Sequence, residues 1–293
     1  MPRAEAAALD PIFETVHYRE FKILLKREAF LGGDPADPTH DFWKRARRIA
    51  DEAGVAVEAH RGWREARRRV VRFWDTDGGD LYGRSWILRT RTDVVRGAPA
   101  ARYELTLKFR HPEVRAAARA DLHVTPPLDG EEKLKEELLL VEEHLGGMRS
   151  IFSHGCQLKD FTAPPPTSVA DAAKIFPALA HAHVPARATL SPVGTREVEE
   201  VLFCLGGFDF GHGRWAKVDL AVWRDVASGE PLIGEFAYET HFQHYGRFHP
   251  AAKQRSERFY RLLQREAGSW VELGATKTAL VYQLAGRRTS HRE

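Results

Sequence analysis

The chain has 293 residues, 43% of them hydrophobic and 10% aromatic, a composition that indicates a packed globular protein and argues against a disordered one. Its formal net charge is only +3, so an anion site has to come from local clustering and not from the field of the whole molecule. The two cysteines, Cys156 and Cys204, lack metal-type spacing, which argues against a disulfide scaffold or a thiolate zinc site and fits a reducing compartment.

Met1 to Phe13 is Ala-rich but has no apolar core behind basic residues, so no signal peptide is expected. No apolar run approaches the ~18 residues of a membrane span, and a soluble cytoplasmic protein is the expectation. A first strand is expected over Val16 to Leu25. Gly32, Gly33 and two prolines follow, and then a helix through Asp41 to Ala50, with Asp34 or Thr39 as its cap and Phe42, Ala46 and Ile49 on one face. One or two strands are expected from Val55 to Arg72 around a Gly62-Trp63 break, then a strand at Val70 to Asp75 and a turn at Asp77 to Asp80. Two strong strands follow, Trp86 to Thr92 and Arg102 to Phe109. Glu131 to Leu145 has a Leu134, Leu138, Val141, Leu145 stripe closed by Gly146-Gly147, which predicts a helix. Pro164 to Pro166 marks a linker or turn. The second half carries strand patterns at Ala186 to Leu190, Glu197 to Leu205, Arg214 to Trp223, Leu232 to Thr240 and Lys277 to Leu284, with a helix at Ala251 to Glu266.

Four stretches place charged or polar residues on one parity and apolar residues on the other: Tyr18 to Lys22, Ile87 to Arg91, Glu104 to Lys108 and Glu235 to Glu239. Alternate strand residues point to opposite faces, so each stretch sends its charges to one side and keeps Phe21, Ile23, Leu88, Leu105, Leu107 and Phe236 on the other. A solvated sheet face laced with ion pairs would also have this pattern. The charged side is rich in cations and carries a few carboxylates, which suits a lumen holding a polyanion and its metal ion. The expected fold is therefore α+β: a closed antiparallel β-barrel with a polar, charged lumen and helices outside. It would be one domain over 1–293, with similar halves at about 16–150 and 167–285 and flexible terminal tails.

Two other clusters have plainer readings. The Arg64 to Arg72 run invites a nucleic-acid role, but aromatic interleaving is limited to Trp63 and Phe73, and no nucleic-acid partner is expected. His241, His244 and His249 lack helical His-x-x-x-His spacing, and an exposed loop suits them better than zinc.

The motifs taken in order resemble the CYTH superfamily, the triphosphate tunnel metalloenzymes, which include thiamine triphosphatases, inorganic tripolyphosphatases and class IV adenylyl cyclases. The family opens on Glu-x-Glu-x-Lys, matched here by Glu20 and Lys22 with Tyr18 in the first position. Phe73-Trp74-Asp75-Thr76, the paired Arg89 and Arg91, and Leu105-Thr106-Leu107-Lys108 follow in family order. Arg187, Lys217 and Asp219 fall where the family places tunnel residues. Its late Glu-x-Glu strand corresponds to Glu235-Phe236-Ala237, with Glu239 next, and Lys277 echoes a closing lysine. The resemblance runs from about Tyr18 to Leu284.

What the resemblance implies is metal-dependent hydrolysis of a triphosphate-containing substrate inside a cationic tunnel. Lys22, Arg89, Arg91, Lys108, Arg187, Lys217 and Lys277 would bind the phosphates. Glu20, Glu235 and Glu239 would hold Mg2+ or Mn2+, and Glu20 and Asp219 would serve catalysis. Tyr18 and Ala237 each remove a family carboxylate, which leaves enough for one ion rather than two. A protein that binds triphosphate or polyphosphate without catalysis, and a cyclase, remain alternatives.

Overall fold

The computed structural model describes residues 11–59, 65–274 and 276–287. In chain order its elements are β1 (Tyr18–Leu25), α1 (Ala36–Glu52), β2 (Ala56–Ala59), β3 (Glu65–Asp75), α2 (Asp80–Gly83), β4 (Trp86–Val95), β5 (Ala98–His111), α3 (Val114–Arg119), β6 (Glu131–Leu139), β7 (Arg149–Phe161), α4 (Val169–Ile175), β8 (Ser191–Pro192), β9 (Val198–Asp209), β10 (Trp215–Asp225), β11 (Pro231–His241), α5 (Pro250–Glu266) and α6 (Lys277–Leu284).

All eleven strands join one sheet in the order β2-β9-β10-β11-β1-β6-β7-β5-β4-β3-β8, and β9 also pairs with β3. That last pairing makes the strands ring round. β9 divides its length to do so, giving Val198 to Phe203 to β3 and Gly206 to Asp209 to β2. Every pair is antiparallel among the described residues except β1 with β6. The sheet mixes the two halves of the chain, since β1 lies between β11 and β6.

The outer face of β1, β9, β10 and β11 is apolar because α1 and α5 cover it. Phe42 and Trp43 of α1 and Phe259 and Tyr260 of α5 pack on Phe21, Phe208, Phe236 and Tyr238, all buried. Burying each such aromatic contributes roughly 1.5–3 kcal/mol. Two tyrosines on this face tie helix to sheet: the Tyr260 hydroxyl donates to the Lys22 carbonyl at 2.7 Å, and the Tyr238 hydroxyl donates to Ser256 O at 3.0 Å.

Four expectations change. Glu131 to Leu145 is not a helix; its first nine residues form β6, between β1 and β7. The alternation is real, with Lys133, Lys135 and Glu137 on one face and Leu134, Glu136 and Leu138 on the other. Glu136 disguises it, because it is a carboxylate on the covered face. There the Arg19 guanidinium donates to it at 2.7 Å and the Tyr245 hydroxyl at 2.9 Å. Lys277 to Leu284 forms α6 in place of a strand: the Thr276 hydroxyl accepts from the Ala279 amide at 3.0 Å and caps it. Ala186 to Leu190 forms no strand beyond a single bridge from Thr189 to Ser168. β7 was not anticipated at all. The Gly62-Trp63 break and both terminal tails lie outside the described residues.

Candidate functional site

A cavity of about 190 Å³ lies against the inner parity of β1, β4, β5, β6 and β11. Eight cationic side chains line it: Lys22, Arg89, Arg91, Lys108, Arg110, Lys135, Arg149 and Lys277. Among the described residues only three carboxylates do, Glu20, Glu137 and Glu235. Strand geometry explains the gathering. Arg89 and Arg91 alternate along β4, Lys108 and Arg110 along β5, and Lys135 and Glu137 along β6, so all point inward together. Lys108 lies across Gly155 of β7, where an added Cβ would sit 3.1 Å from the lysine Cγ.

The carboxylates sit among cations. Glu20 and Glu137 are direct cross-strand partners, and Lys22 Nζ lies 3.2 Å from the first and 3.0 Å from the second. Arg110 reaches Glu137 at 3.2 Å, and Lys135 reaches Glu20 at 3.5 Å and also pairs with Glu239. Burial pushes the Glu20 carboxyl up, but Lys135 and Lys22 outweigh it and hold it at about 2. Glu137 is fully buried, yet Arg110, Lys22 and Lys108 keep it well below the usual carboxylate range. Lys277, delivered by the N-terminus of α6, bonds Glu235 at 2.8 Å and lies over the Trp223 ring.

A second tier holds the arginines. Arg91 donates to Glu104 at 3.2 Å and lies 3.8 Å from Glu200, which also accepts from Trp223 Nε1 at 2.9 Å and from Arg69. Arg89 is less well matched. Burial and the neighbouring Arg91 bring its guanidinium down to about 9. The Nε atoms of Arg89 and Arg91 are buried without hydrogen-bond partners. Lys108 makes no ion pair among the described residues, and burial depresses it well below an ordinary lysine. The two guanidinium donors are desolvated and unpartnered, a state that an anion relieves.

Of the residues picked out in the sequence, Glu20, Lys22, Arg89, Arg91, Lys108, Glu235 and Lys277 line this cavity together. Arg187 does not, because the segment that carries it is an exposed turn. Lys217 and Asp219 pair with each other at 2.8 Å on β10 and are not part of the lining. Glu239 stands one pairing step from Glu20 and is reached through Lys135. Sequence reasoning missed Arg110, Lys135, Glu137 and Glu200. The parity of Lys133, Lys135 and Glu137 was the available signal for two of them, and Arg110 continues the parity of Lys108.

The other clusters resolve into local pairs. Arg67 binds Asp93 through two bonds of 2.6 and 2.8 Å, Arg68 reaches Glu199 at 3.0 Å, and Arg72 pairs with Glu197. Among the described residues no three His, Cys, Asp or Glu side chains group closely enough to share a metal ion. No helix is long and apolar enough to cross a membrane among the described residues.

No family model matches the sequence. No curated protein matches it either. Solved structures do. One is a proposed adenylyl cyclase from Hippeastrum, HpAC1, described as having a dominant triphosphatase activity; it is 13% identical, with 93% of this chain and 97% of that chain covered, at a TM-score of 0.39. Another is a proposed adenylate cyclase from Bacillus halodurans, 12% identical, with 90% and 98% covered, at a TM-score of 0.36.

Proposed function

We propose that the ring of strands is a tunnel with a polar, charged lumen that binds a triphosphate-containing substrate and hydrolyses its terminal phosphoanhydride. One observation carries the reading: eight cations against three carboxylates converge on one cavity, with buried guanidinium donors left over. Arginine forks suit bidentate phosphate contact, and lysines supply point charge. Arg89, Arg91 and Lys108 bind and orient the phosphates, and Arg110, Lys135 and Lys277 neutralise the remaining charge.

The donor set fits one magnesium or manganese ion. Glu20 and Glu137 are ionised, lie side by side in register, and already share a point cation, the Lys22 ammonium. Magnesium uses one or two carboxylates together with phosphate oxygens and water. When bound, such an ion polarises the phosphoryl group and offsets developing charge. Glu20, held ionised, accepts a hydrogen bond from the attacking water and orients it.

The test is phosphate release from tripolyphosphate and ATP with magnesium, with manganese and with EDTA. Metal-dependent orthophosphate that is lost in Arg89→Ala and Glu20→Gln is the expected result. Pyrophosphate from ATP would indicate a cyclase. Binding of tripolyphosphate without release would indicate a non-catalytic binding protein, a second reading favoured by the lysines and arginines already engaging every lining carboxylate. Neither release nor binding would sink the proposal.

A further inference from the structure

We infer that Glu200, which is not part of the cavity lining, is a positioning residue: its carboxylate holds the Arg91 guanidinium and the Lys277 ammonium in the attitude in which they meet the phosphates. This rests on the proposed phosphate site and adds the group that aims two of its cations.

Glu200 sits on the seam where the ring of strands closes. Its direct cross-strand partners are Trp223 of β10 on one side and Arg69 of β3 on the other. It is 1% exposed. Its two oxygens have different roles. Oε1 accepts from Arg69 Nε at 2.9 Å, which ties it to β3. Oε2 accepts from Trp223 Nε1 at 2.9 Å and faces two cavity cations, Arg91 Nη2 at 3.8 Å and Lys277 Nζ at 3.7 Å. β3 and β10 thus fix the carboxylate, and the carboxylate fixes one cation from β4 and another from the first turn of α6.

The two paired arginines differ accordingly. Arg91 Nη1 donates to Glu104 at 3.2 Å while Nη2 faces Glu200, so the guanidinium plane is set from both ends and its buried Nε is left without a partner. Arg89, two residues earlier on the same strand, has Glu104 at 4.0 Å and no ion pair with Glu200 among the described residues. Burial pulls Arg91 down, and Glu200 and Glu104 more than offset it, whereas Arg89 is brought down to about 9. Lys277 is held between Glu235 at 2.8 Å and Glu200, over the Trp223 ring whose N–H binds the same Oε2.

The sign of the effect separates positioning from charge. By charge alone, a carboxylate behind the cations repels an anion, so its removal would tighten binding. A group that pre-organises two cations weakens binding when it is removed, although the site becomes one unit more positive.

Calorimetric titration with tripolyphosphate in EDTA tests this on the wild type, Glu200→Gln, Trp223→Phe, Arg91→Ala and the Glu200→Gln, Arg91→Ala double variant. Glu200→Gln is expected to lose about tenfold in affinity. Trp223→Phe keeps every charge and removes only the N–H that holds Oε2. It is expected to lose affinity in the same direction, and it carries the test should Glu200→Gln fail to fold. In the Arg91→Ala background, Glu200→Gln is expected to cost less than about threefold, because most of its effect passes through Arg91. A carboxylate that merely supported the fold would lower the binding stoichiometry at an unchanged dissociation constant. That result, a full tenfold cost in the Arg91→Ala background, or affinity at or above wild type in both Glu200→Gln and Trp223→Phe would overturn the inference. Failure of tripolyphosphate to bind the wild type would remove the phosphate site itself, and the role of Glu200 with it.

Discussion

Glu20 and Glu137 face each other across the β1–β6 pair, and one ammonium, that of Lys22, lies within 3.2 Å of both. Parallel pairing puts them in register although 117 residues separate them. Both carboxylates are thereby held against the same ammonium.

Glu137→Gln is expected to act in two opposite directions. Metal-dependent phosphate release should fall at least about tenfold, because the ion loses one of its two carboxylates. Tripolyphosphate affinity in EDTA should rise, because a negative charge facing the anion is gone. The variant should also be less stable to urea by about 3 kcal/mol, since Lys22 and Arg110 lose a buried counter-ion. Equal losses with and without metal would contradict the assignment.

The ionisation of Glu20 predicts an acid limb. Its folded value is about 2, below the ordinary 4.5, so the stability it contributes is present above pH 4.5 and is lost as pH falls towards 2. Urea midpoints of wild type and Glu20→Gln, followed from pH 5 downward, are expected to converge over that interval. Parallel curves would mean that the carboxylate is not held ionised.

Lys108 runs the other way. Its folded value is depressed by burial, so the unfolded chain binds the proton more readily and unliganded stability rises as pH climbs from the folded value towards the ordinary lysine value. A bound polyanion favours the charged form, so tripolyphosphate binding should take up a proton. Calorimetry in buffers of different ionisation enthalpy measures this uptake, and Lys108→Met should abolish it.

Arg89 and Arg187 were both named from the sequence as phosphate ligands and should behave differently. Arg89→Ala is expected to weaken tripolyphosphate by about tenfold or more, the value of a charge-assisted hydrogen bond in a desolvated site. Arg187→Ala, on an exposed turn, should leave it unchanged.

α6 brings Lys277 to the cavity, and its hold is the buried Asp75. Asp75 accepts from the amides of Thr76, Leu81 and Tyr82 and from the Tyr282 hydroxyl at 2.9 Å, while Tyr282 stacks on Tyr82 at 3.9 Å. Tyr282→Phe should cost about 1–2 kcal/mol and speed amide exchange over Lys277 to Leu284 more than elsewhere. A uniform increase across the chain would show that the bond does not anchor the helix.

Period-two alternation was legible where the covered face was mostly apolar, as in β4, β5 and β11, and in β1 despite the buried Arg19. Those strands carry most of the lining that sequence reasoning identified. β6 escaped because Glu136 occupies its covered face and Leu134, Leu138, Val141 and Leu145 also fit a helical stripe; intrinsic propensity yields when a strand gains partners on both edges. β7 escaped because its residues mix polar and apolar on both parities. Lys277 was named on a strand and arrives on a helix, since the β-branched residues beside it suit either state until Thr276 finds an amide to cap.

By itself, the sequence identified the charged faces of β1, β4, β5 and β11, because side-chain direction follows from residue parity alone. Only the tertiary structure decided which charges meet. Glu137 beside Glu20, Glu200 behind Arg91 and Arg187 outside the cavity all depend on strand order and on the β3–β9 pairing. Those are long-range pairings, set by how the sheet closes on itself and buries its apolar face, and no local pattern encodes them.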